Sequence, residues 1–156
     1  MIYGVQFAAP TSNTATINTL TDYGLMLCDD LSIETPAPRL KYVEVPELDG
    51  ALDLTESLTG SVTYSQRKIT FTLFAAHDKT ANTRTPATEA HFETARQQFT
   101  AAVNGKKMKM WLPDDSSHWF LGRVYVGEKS GYNNGKIQVT MIADPYRYGA
   151  NNTKVM

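Results

Sequence analysis

The feature of this sequence that most constrains its fold is an alternation of apolar and polar residues that recurs along the chain. In KITFTLF, residues 68–74, the side chains of Ile69, Phe71 and Leu73 share one face of an extended chain. Three more segments alternate in this way or are rich in β-branched and aromatic residues: KMKMWL at 107–112, WFLGRVYVGE at 119–128 and KIQVTMIA at 136–143. Successive side chains of a strand point to opposite faces, so the pattern predicts half-buried strands of an antiparallel sheet.

Turn-forming residues separate these strands. The stretch PDDSS at 113–117 lies between the second and third strands, and KSGYNNG at 129–135 lies between the third and fourth. Proline and aspartate favour turns, and Asn134-Gly135 readily adopts the positive φ that tight hairpins need. We therefore predict a three-stranded meander over 106–148, in which Asp114-Asp115 builds the first turn.

The segment 85–105 has a helical period instead. Its apolar residues recur three or four positions apart, at Phe92, Ala95, Phe99 and Ala102. Thr85 and Pro86 suit the start of a helix, and Gly105 suits its end. We predict one amphipathic α-helix at about 87–104, which packs on a sheet face and buries Phe92 and Phe99.

The region 31–66 departs from the regular pattern. Its strand candidates are 31–35 and 40–45; Pro36 and Pro38 interrupt this region, and Pro46 ends the second candidate. Proline cannot donate a backbone hydrogen bond to a neighbouring strand, so within sheets it is confined to edges and bulges. The sequence therefore predicts a projecting hairpin or arm at about 31–66.

A chain of 156 residues suits a single domain. We expect a mainly β fold (β+α), an antiparallel β-sandwich or split barrel with one α-helix, over residues 1–149. Residues 150–156 form a short polar tail that we expect to be poorly ordered.

The sequence does not arrange its reactive residues in the patterns that catalytic and metal sites need. His77, His91 and His118 are far apart and lack a metal-binding motif, whereas a metal needs three or four ligands gathered together. There is no phosphate-binding glycine loop and no GxSxG nucleophile motif. Cys28, the single cysteine, is expected to be a small buried residue on a strand. We predict no catalytic residue, no cofactor, no metal and no enzymatic activity.

The formal net charge of −1 gives no bulk attraction to nucleic acid or to an acidic membrane. No run of about 18 apolar residues occurs, so we expect no membrane insertion. The N-terminal residues lack the basic and apolar regions of a secretory signal. We therefore expect the chain to be made in a cytoplasm.

Several aromatic residues are candidates for a sugar-stacking or protein-contact surface: Trp119, Tyr125, Tyr132, Tyr146 and Tyr148. We expect Trp119 and Tyr125, which lie in a strand, to pack under the helix. Pro145 must end the sheet, and beyond it Tyr146 and Tyr148 face one side while Arg147 faces the other. The sequence leaves open whether this ending belongs to the core or to an interface.

In order and spacing, these segments resemble the distal tail proteins of long-tailed siphophages and related prophages. The likeness covers residues 48–148 and rests on these motifs: Asp49-Gly50, Leu54-Thr55-Glu56, Arg67 before ITFTLF, Asn104-Gly105-Lys106, Asp114-Asp115, Phe120-Leu121-Gly122-Arg123 and Pro145-Tyr146-Arg147-Tyr148. It implies a tail-tube-like β fold and a hexameric ring at the virion tail tip or baseplate. The ring would join the tail tube protein to the tail-associated hub protein and let DNA pass without specific binding. Many members continue into a second, galectin-like or carbohydrate-binding domain, so the resemblance concerns their N-terminal ring domain.

A ring needs an interface in which one patch meets a different patch on the next copy. We expect the following residues to supply it: Pro36, Pro38, Leu40, Tyr42, Tyr146, Arg147 and Tyr148. An acidic lumen would let DNA slide without sticking. We expect the channel to be lined by Glu47, Asp49, Asp53 and Glu56. Two alternatives remain open here: another tail-tube-lineage protein, such as a tube or terminator protein, and a carbohydrate-binding β-sandwich module.

Overall fold

The structure, a computed structural model, describes residues 4–75, 88–131 and 135–156. Within these ranges the strands are β1 (Gln6–Ala8), β2 (Ile17–Asn18), β3 (Leu25–Leu27), β4 (Ser32–Ile33), β5 (Tyr42–Glu44), β6 (Ala51–Asp53), β7 (Arg67–Ala75), β8 (Lys107–Leu112), β9 (Asp115–Ser130), β10 (Lys136–Ala143), β11 (Arg147–Tyr148) and β12 (Lys154–Val155). The helices are α1 (Thr19–Tyr23), α2 (Glu89–Val103) and a 3-10 helix (Ala150–Asn152).

Ten of these strands form one sheet that curls into a half-barrel. Its main path runs β2-β1-β8-β9-β10-β7-β3, with β4 on β7 and with β11 between β9 and β12. Each pairing among the described strands is antiparallel. The predicted fold, mainly antiparallel β with an added helix, is therefore confirmed.

The predicted meander is confirmed in β8, β9 and β10. β8 pairs with β9 as far as Leu112 opposite Asp115, so Pro113 and Asp114 form the turn between them. β10 pairs with β9 on one side and with β7 on the other. Gly122 lies where β9 and β10 approach closely, because a Cβ there would lie 2.2 Å from the Ile142 carbonyl oxygen. The second predicted turn, with Tyr132 and Asn134, falls outside the described residues.

The hydrophobic core lies between the curled sheet and α2. Phe71 and Leu73 of β7 are buried, as the alternation predicts. Phe92 and Phe99 of α2 are fully buried in the same cluster, which confirms their predicted role. The rings of Phe99 and Phe7 are 6.0 Å apart, so the helix also contacts β1. Burial of each phenylalanine contributes about 1.5–3 kcal/mol to stability.

The bounds of α2 agree with the predicted helix to within two residues. Thr88 is the N-cap, and its hydroxyl oxygen accepts a hydrogen bond from the His91 amide at 3.4 Å. Thr85 is therefore not the cap; Thr85 and Pro86 lie outside the described residues. Gly105 follows the helix with φ of 73°, the left-handed conformation expected of a glycine at this position.

A second helix, α1, was missed by the sequence reasoning. It has five residues, too few to show a helical period. The side-chain oxygen of Asn18 accepts hydrogen bonds from the Leu20 and Thr21 amides, and Gly24 ends the helix with φ of 70°. These capping residues were the signal that could have identified it. No helix in the described ranges is long and apolar enough to cross a membrane.

The predicted positions of Trp119, Tyr125 and Cys28 are wrong. Phe120 and Val124 of β9 face the core, so Trp119 and Tyr125 lie on the opposite face of the sheet, and Tyr125 is 45% exposed. Cys28 follows β3 and is half-buried. A strand alternation defines two faces, but the packing of the helix decides which one becomes the core.

The C-terminal residues 150–156 form backbone pairings with the domain, whereas we expected a poorly ordered tail. The 3-10 helix leads into β12, which pairs with β11 through Arg147 and Val155. The Arg67 guanidinium donates a hydrogen bond to the Met156 carbonyl oxygen at 3.0 Å. Pairing with β11, itself paired to β9, gives this polar segment backbone partners that its sequence does not reveal.

Candidate subunit interface

Residues 39–60, which we call the arm, extend from the half-barrel as a hairpin. β5 and β6 pair from Tyr42 opposite Asp53 to Glu44 opposite Ala51, in a sheet separate from the half-barrel. Every residue from 37 to 53 is exposed. A two-stranded hairpin without further packing is at best marginally stable in water. The arm is therefore an element that would gain stability from contact with another surface.

Apolar side chains cover both faces of the arm. Directly opposed residues of an antiparallel pair share a face. Val43 is opposite Leu52, and Val45 lies on the same face two residues further along β5. These three side chains are 39%, 46% and 42% exposed, respectively. Leu40 and Tyr42, both 57% exposed, lie on the other face.

Two further leucines extend this apolar surface beyond the strands. Leu48 lies between β5 and β6 at the tip of the hairpin, and Leu58 follows β6. Both are exposed, Leu58 to 87%. Contiguous exposed apolar surface in a folded protein marks an interaction site. Sequence reasoning named Leu40 and Tyr42 but missed the remaining apolar residues, although the alternation of Val43 and Val45 was a usable signal.

Backbone hydrogen bonds hold the base of the arm. The Arg39 amide donates to the Thr63 carbonyl at 2.7 Å, and the Ser65 amide donates to the Ala37 carbonyl at 2.9 Å. Pro38 forms an isolated bridge with Tyr64 and is exposed, whereas Pro36 is buried in its own protomer. Of the two prolines expected at an interface, only Pro38 therefore offers its surface to a partner.

The four acidic residues expected at the channel all lie on the arm and are exposed: Glu47, Asp49, Asp53 and Glu56. Glu47 has φ of 68° in the tip, and Asp49 precedes Gly50 in the same turn. Hydrogen bonds from Thr55 lower the pKa of Asp53. These four carboxylates thus lie in one exposed element. Their position relative to a channel is defined only by an assembly of several copies.

The tyrosines of the C-terminal ending make contacts within their own chain. The Tyr148 hydroxyl donates to Asp144 Oδ2 at 2.9 Å, and burial together with this carboxylate raises the pKa of Tyr148 to about 12. The Tyr146 ring meets the Tyr64 ring edge-on, with centroids 6.2 Å apart. Both tyrosines are half-buried, and the contact of Tyr146 with Tyr64 connects the end of the chain to the base of the arm.

Two arginines flank the ring of Phe120. The guanidinium carbon of Arg147 lies 5.1 Å from the ring centroid, and that of Arg67 lies 5.5 Å from it. Arg147 also forms an ion pair with Asp115 at 3.4 Å. Arg67 is buried and donates to the Pro145 carbonyl, and burial, followed by the nearby Arg147, lowers its pKa. These contacts give Arg147 a role inside the protomer.

Ser117, His118 and Asp115 lie together at the start of β9. The Ser117 hydroxyl lies 3.0 Å from His118 Nδ1, and Asp115 Oδ2 lies 3.1 Å from the same nitrogen. In a catalytic triad the carboxylate binds one ring nitrogen and the serine binds the other. Here both partners use Nδ1, and Ser117 also donates to Asp115 at 2.8 Å, which closes the hairpin turn. This is the turn-building role predicted for Asp115.

A cavity of about 570 Å³ lies beside the two tryptophans on the outer face of the sheet. The Trp111 and Trp119 rings are 6.0 Å apart, and Lys109 Nζ lies 4.6 Å from the Trp119 centroid. Trp111 is buried and Lys109 covers one face of Trp119, so the pair does not present two open rings to a sugar. Among the described residues, no group of three or more His, Cys, Asp or Glu side chains is placed to hold a metal ion.

Comparisons with known proteins show a structural likeness for this arrangement. No protein-family model matches the chain, and no curated protein matches it. The fold is similar to the crystal structure of the SPP1 Dit protein, described as a paradigm of the hub adsorption apparatus in phages that infect Gram-positive bacteria, with a TM-score of 0.64 and 14% identity. The match covers 96% of this chain and 53% of the Dit chain, so this chain spans about half the length of that protein. The protein therefore has a Dit-like fold, a curled antiparallel half-barrel with a helix packed on it.

Proposed function

We propose that this chain is a structural, non-enzymatic component of the tail tip of a long-tailed bacteriophage or prophage. Copies form a closed ring, a hexamer by the resemblance, that joins the tail tube to the tail-associated hub and lets DNA pass. The observation that carries this proposal is the arm: seven large apolar side chains are exposed along residues 40–58 of an otherwise well-packed domain. The Dit-like fold supports a tail tip in preference to a tube or terminator protein.

The arm supports a ring because its apolar surface is unlike the rest of the chain's surface. Two identical patches that meet make a twofold dimer, whereas two unlike patches make a ring if the rotation closes. An arm that docks on a different part of the next copy satisfies the second condition. Leu40 and Tyr42 on one face and Val43 and Leu52 on the other then become buried between neighbours.

Removal of the arm tests this proposal. In the variant, residues 42–53 are replaced by Asn-Gly, a dipeptide that makes a tight turn. The hydrogen bond from the Leu54 amide to the Lys41 carbonyl, at 2.8 Å, shows that the two ends meet. We expect the wild-type chain to form ring particles in negative-stain images and a multimer by mass measurement, and the variant to be a folded monomer.

The control for this experiment is a chain with Val155→Ser, which removes one exposed apolar side chain of β12, outside the arm, and keeps β5 and β6 intact. This control is expected to assemble like the wild type. Ring particles from the arm-deleted variant, or a wild-type chain that stays monomeric at every concentration, would contradict the proposal. Circular dichroism of each variant separates loss of assembly from loss of folding.

A carbohydrate-binding function has less support from the structure. The aromatic residues named for it are dispersed: Tyr125 is exposed on β9, Trp119 is beside Trp111, and Tyr146 packs against Tyr64. Tyr132 lies outside the described residues. Sugar-binding sites need rings that converge on one accessible surface.

A further inference from the structure

A groove with apolar walls lies at the edge of the half-barrel, where β3 ends. One part, of about 360 Å³, lies between Leu27, Leu31 and Pro113, with Cys28 in its wall. An adjoining part, of about 450 Å³, shares Leu27 and Cys28 and extends to Phe74. Pockets of about 300–1,000 Å³ accommodate drug-sized ligands, so this groove has room for several aliphatic side chains. We call it the acceptor groove.

The acceptor groove and the arm lie at opposite ends of β7. The base of the arm pairs through Tyr64, just before β7 begins at Arg67. The groove lies near the other end, where Leu27 of β3 pairs with Leu73. A strand rises about 3.3 Å per residue, so Arg67 and Leu73 are about 20 Å apart. An arm that projects from one end of a protomer is thus positioned to meet the groove of the next copy.

One face of the arm and one part of the groove carry complementary charges. Asp29 and Asp114 line the acceptor groove and are exposed. Lys41 lies two residues before Val43, so it shares the arm face that carries Val43, Val45 and Leu52. In the part of the chain that the structure describes, none of these three charged side chains takes part in an ion pair. One face of the arm thus offers an apolar strip with a cation beside it, and the part of the groove between Leu31 and Pro113 offers an apolar floor with anions beside it. Lys136 lines the other part of the groove, next to Phe74.

We propose that the Val43–Leu52 face of the arm docks in the acceptor groove of a neighbouring copy, with Lys41 next to Asp29 and Asp114. This inference rests on the proposed ring function and names the two surfaces that build it. Donor and acceptor are different patches at opposite ends of one protomer, so each copy gives its arm to one neighbour and receives the arm of another.

The native thiol of Cys28 makes this contact testable by disulfide trapping. In the Leu52→Cys variant, the new thiol lies on the docking face of the arm and meets Cys28 of the next copy. Both thiols are on every copy, so oxidation produces a ladder of linked species beyond the dimer. Burial and the nearby Asp30 raise the pKa of the Cys28 thiol. The oxidation is therefore run with copper-phenanthroline at about pH 9, where more of the thiol is ionised.

Two control variants test whether the ladder arises from docking of the arm in the acceptor groove. Addition of Cys28→Ser to Leu52→Cys leaves one thiol per copy and is expected to abolish all linked species, the dimer included, because an arm thiol in the groove then has no thiol partner. Leu58→Cys places a more exposed thiol on the arm outside β5 and β6, and is expected to reduce the ladder at least fivefold. A linked dimer that persists without Cys28 would show that the arms meet each other, and it would overturn the assignment, as would an equal ladder from Leu58→Cys.

The oligomeric mass of the wild-type chain distinguishes refutation of the docking proposal from refutation of the ring proposal. Wild-type rings combined with no Leu52→Cys ladder would refute the acceptor groove and leave the proposed function intact. A monomeric wild type and no ladder at high concentration would refute both. A linked species that stops at the dimer would indicate a twofold contact and would also overturn the proposal.

Discussion

Two guanidinium groups, those of Arg67 and Arg147, lie close to the ring of Phe120, and this arrangement explains the Tyr-Arg-Tyr ending at the scale of single residues. Arg67 and Arg147 are like charges, so their proximity is unfavourable without compensating partners. Asp115 supplies a carboxylate to Arg147, and the Pro145 and Met156 carbonyls accept hydrogen bonds from Arg67. These contacts come from segments far apart in the chain. The ending therefore stabilises the protomer whether or not a partner also contacts it.

Tyr148 gives a prediction about alkaline pH. Its pKa is about 12 in the folded protein, whereas an unfolded tyrosine has a pKa of about 10. Above about pH 10 the unfolded chain loses this proton first, so the stabilisation that Tyr148 provides declines as the pH rises towards 12. We expect Tyr148→Phe to be less stable than wild type by about 1 kcal/mol at neutral pH, and the difference to shrink above pH 10.

Urea unfolding of both proteins at about pH 8 and about pH 11 measures this effect. Tyr125→Phe is the matched control, because its ring lies on β9 and is 45% exposed. The change in relative stability between the two pH values should be larger for Tyr148→Phe than for this control. A constant difference between wild type and Tyr148→Phe would show that the Asp144 contact does not control this hydroxyl.

Among the secondary-structure elements, α2 owes its position to burial more than to charge. Lys129 of β9 forms ion pairs with Glu89 and Glu93 at 2.6 and 3.0 Å, but all three side chains are partly exposed. Exposed ion pairs of this kind contribute about 0–1 kcal/mol each. Phe92 and Phe99 are fully buried, and each contributes more than such a pair. Apolar packing is therefore the main force that holds the helix on the sheet.

The Phe99→Ala variant tests that conclusion. Phe99 packs against Phe7 and Tyr23, with ring centroids 6.0 and 5.9 Å away. Removal of a buried phenylalanine ring leaves a cavity, and we expect a loss of about 3–5 kcal/mol in the free energy of unfolding. Gln98→Ala, at the exposed neighbouring position, should change stability by less than about 0.5 kcal/mol. A loss below about 1 kcal/mol in Phe99→Ala would mean that the core does not depend on this helix.

At the scale of the whole molecule, the arm combines an apolar strip with an acidic tip. If the copies form a ring, any charge on the arm is repeated around the channel. Repeated negative charge repels the phosphate backbone and prevents DNA from binding as it passes. The assignment of Glu47 and Asp49 to the channel wall must therefore be tested on the assembled ring.

Charge reversal on the assembled ring tests this assignment. We expect Glu47→Lys combined with Asp49→Lys to raise retention on a DNA column at low salt, with the effect lost as salt increases. The control is Glu34→Lys combined with Glu128→Lys, which changes the net charge equally at exposed positions outside the arm. Equal retention of the two variants would remove these residues from the channel wall.

The sequence by itself determined the central strands of the half-barrel and the helix that packs on them. The period of apolar residues is a local property, and it located β7, β8, β10 and α2 to within two residues of their observed bounds. Turn residues such as Pro113 and the terminating Gly105 act through their own backbone, so they were also readable. The exposed pair of Leu40 and Tyr42 was found because prolines break the region around it.

Only the tertiary structure decided which face of each strand is buried and which distant segments meet. It turned Trp119 and Tyr125 away from α2, paired the polar C-terminal residues with β11, and brought Leu31 beside Pro113 in one groove. The physical reason is that alternation defines two equivalent faces, and the curl of the sheet around the helix selects one of them. Contacts between segments remote in sequence arise from that selection and leave no local pattern.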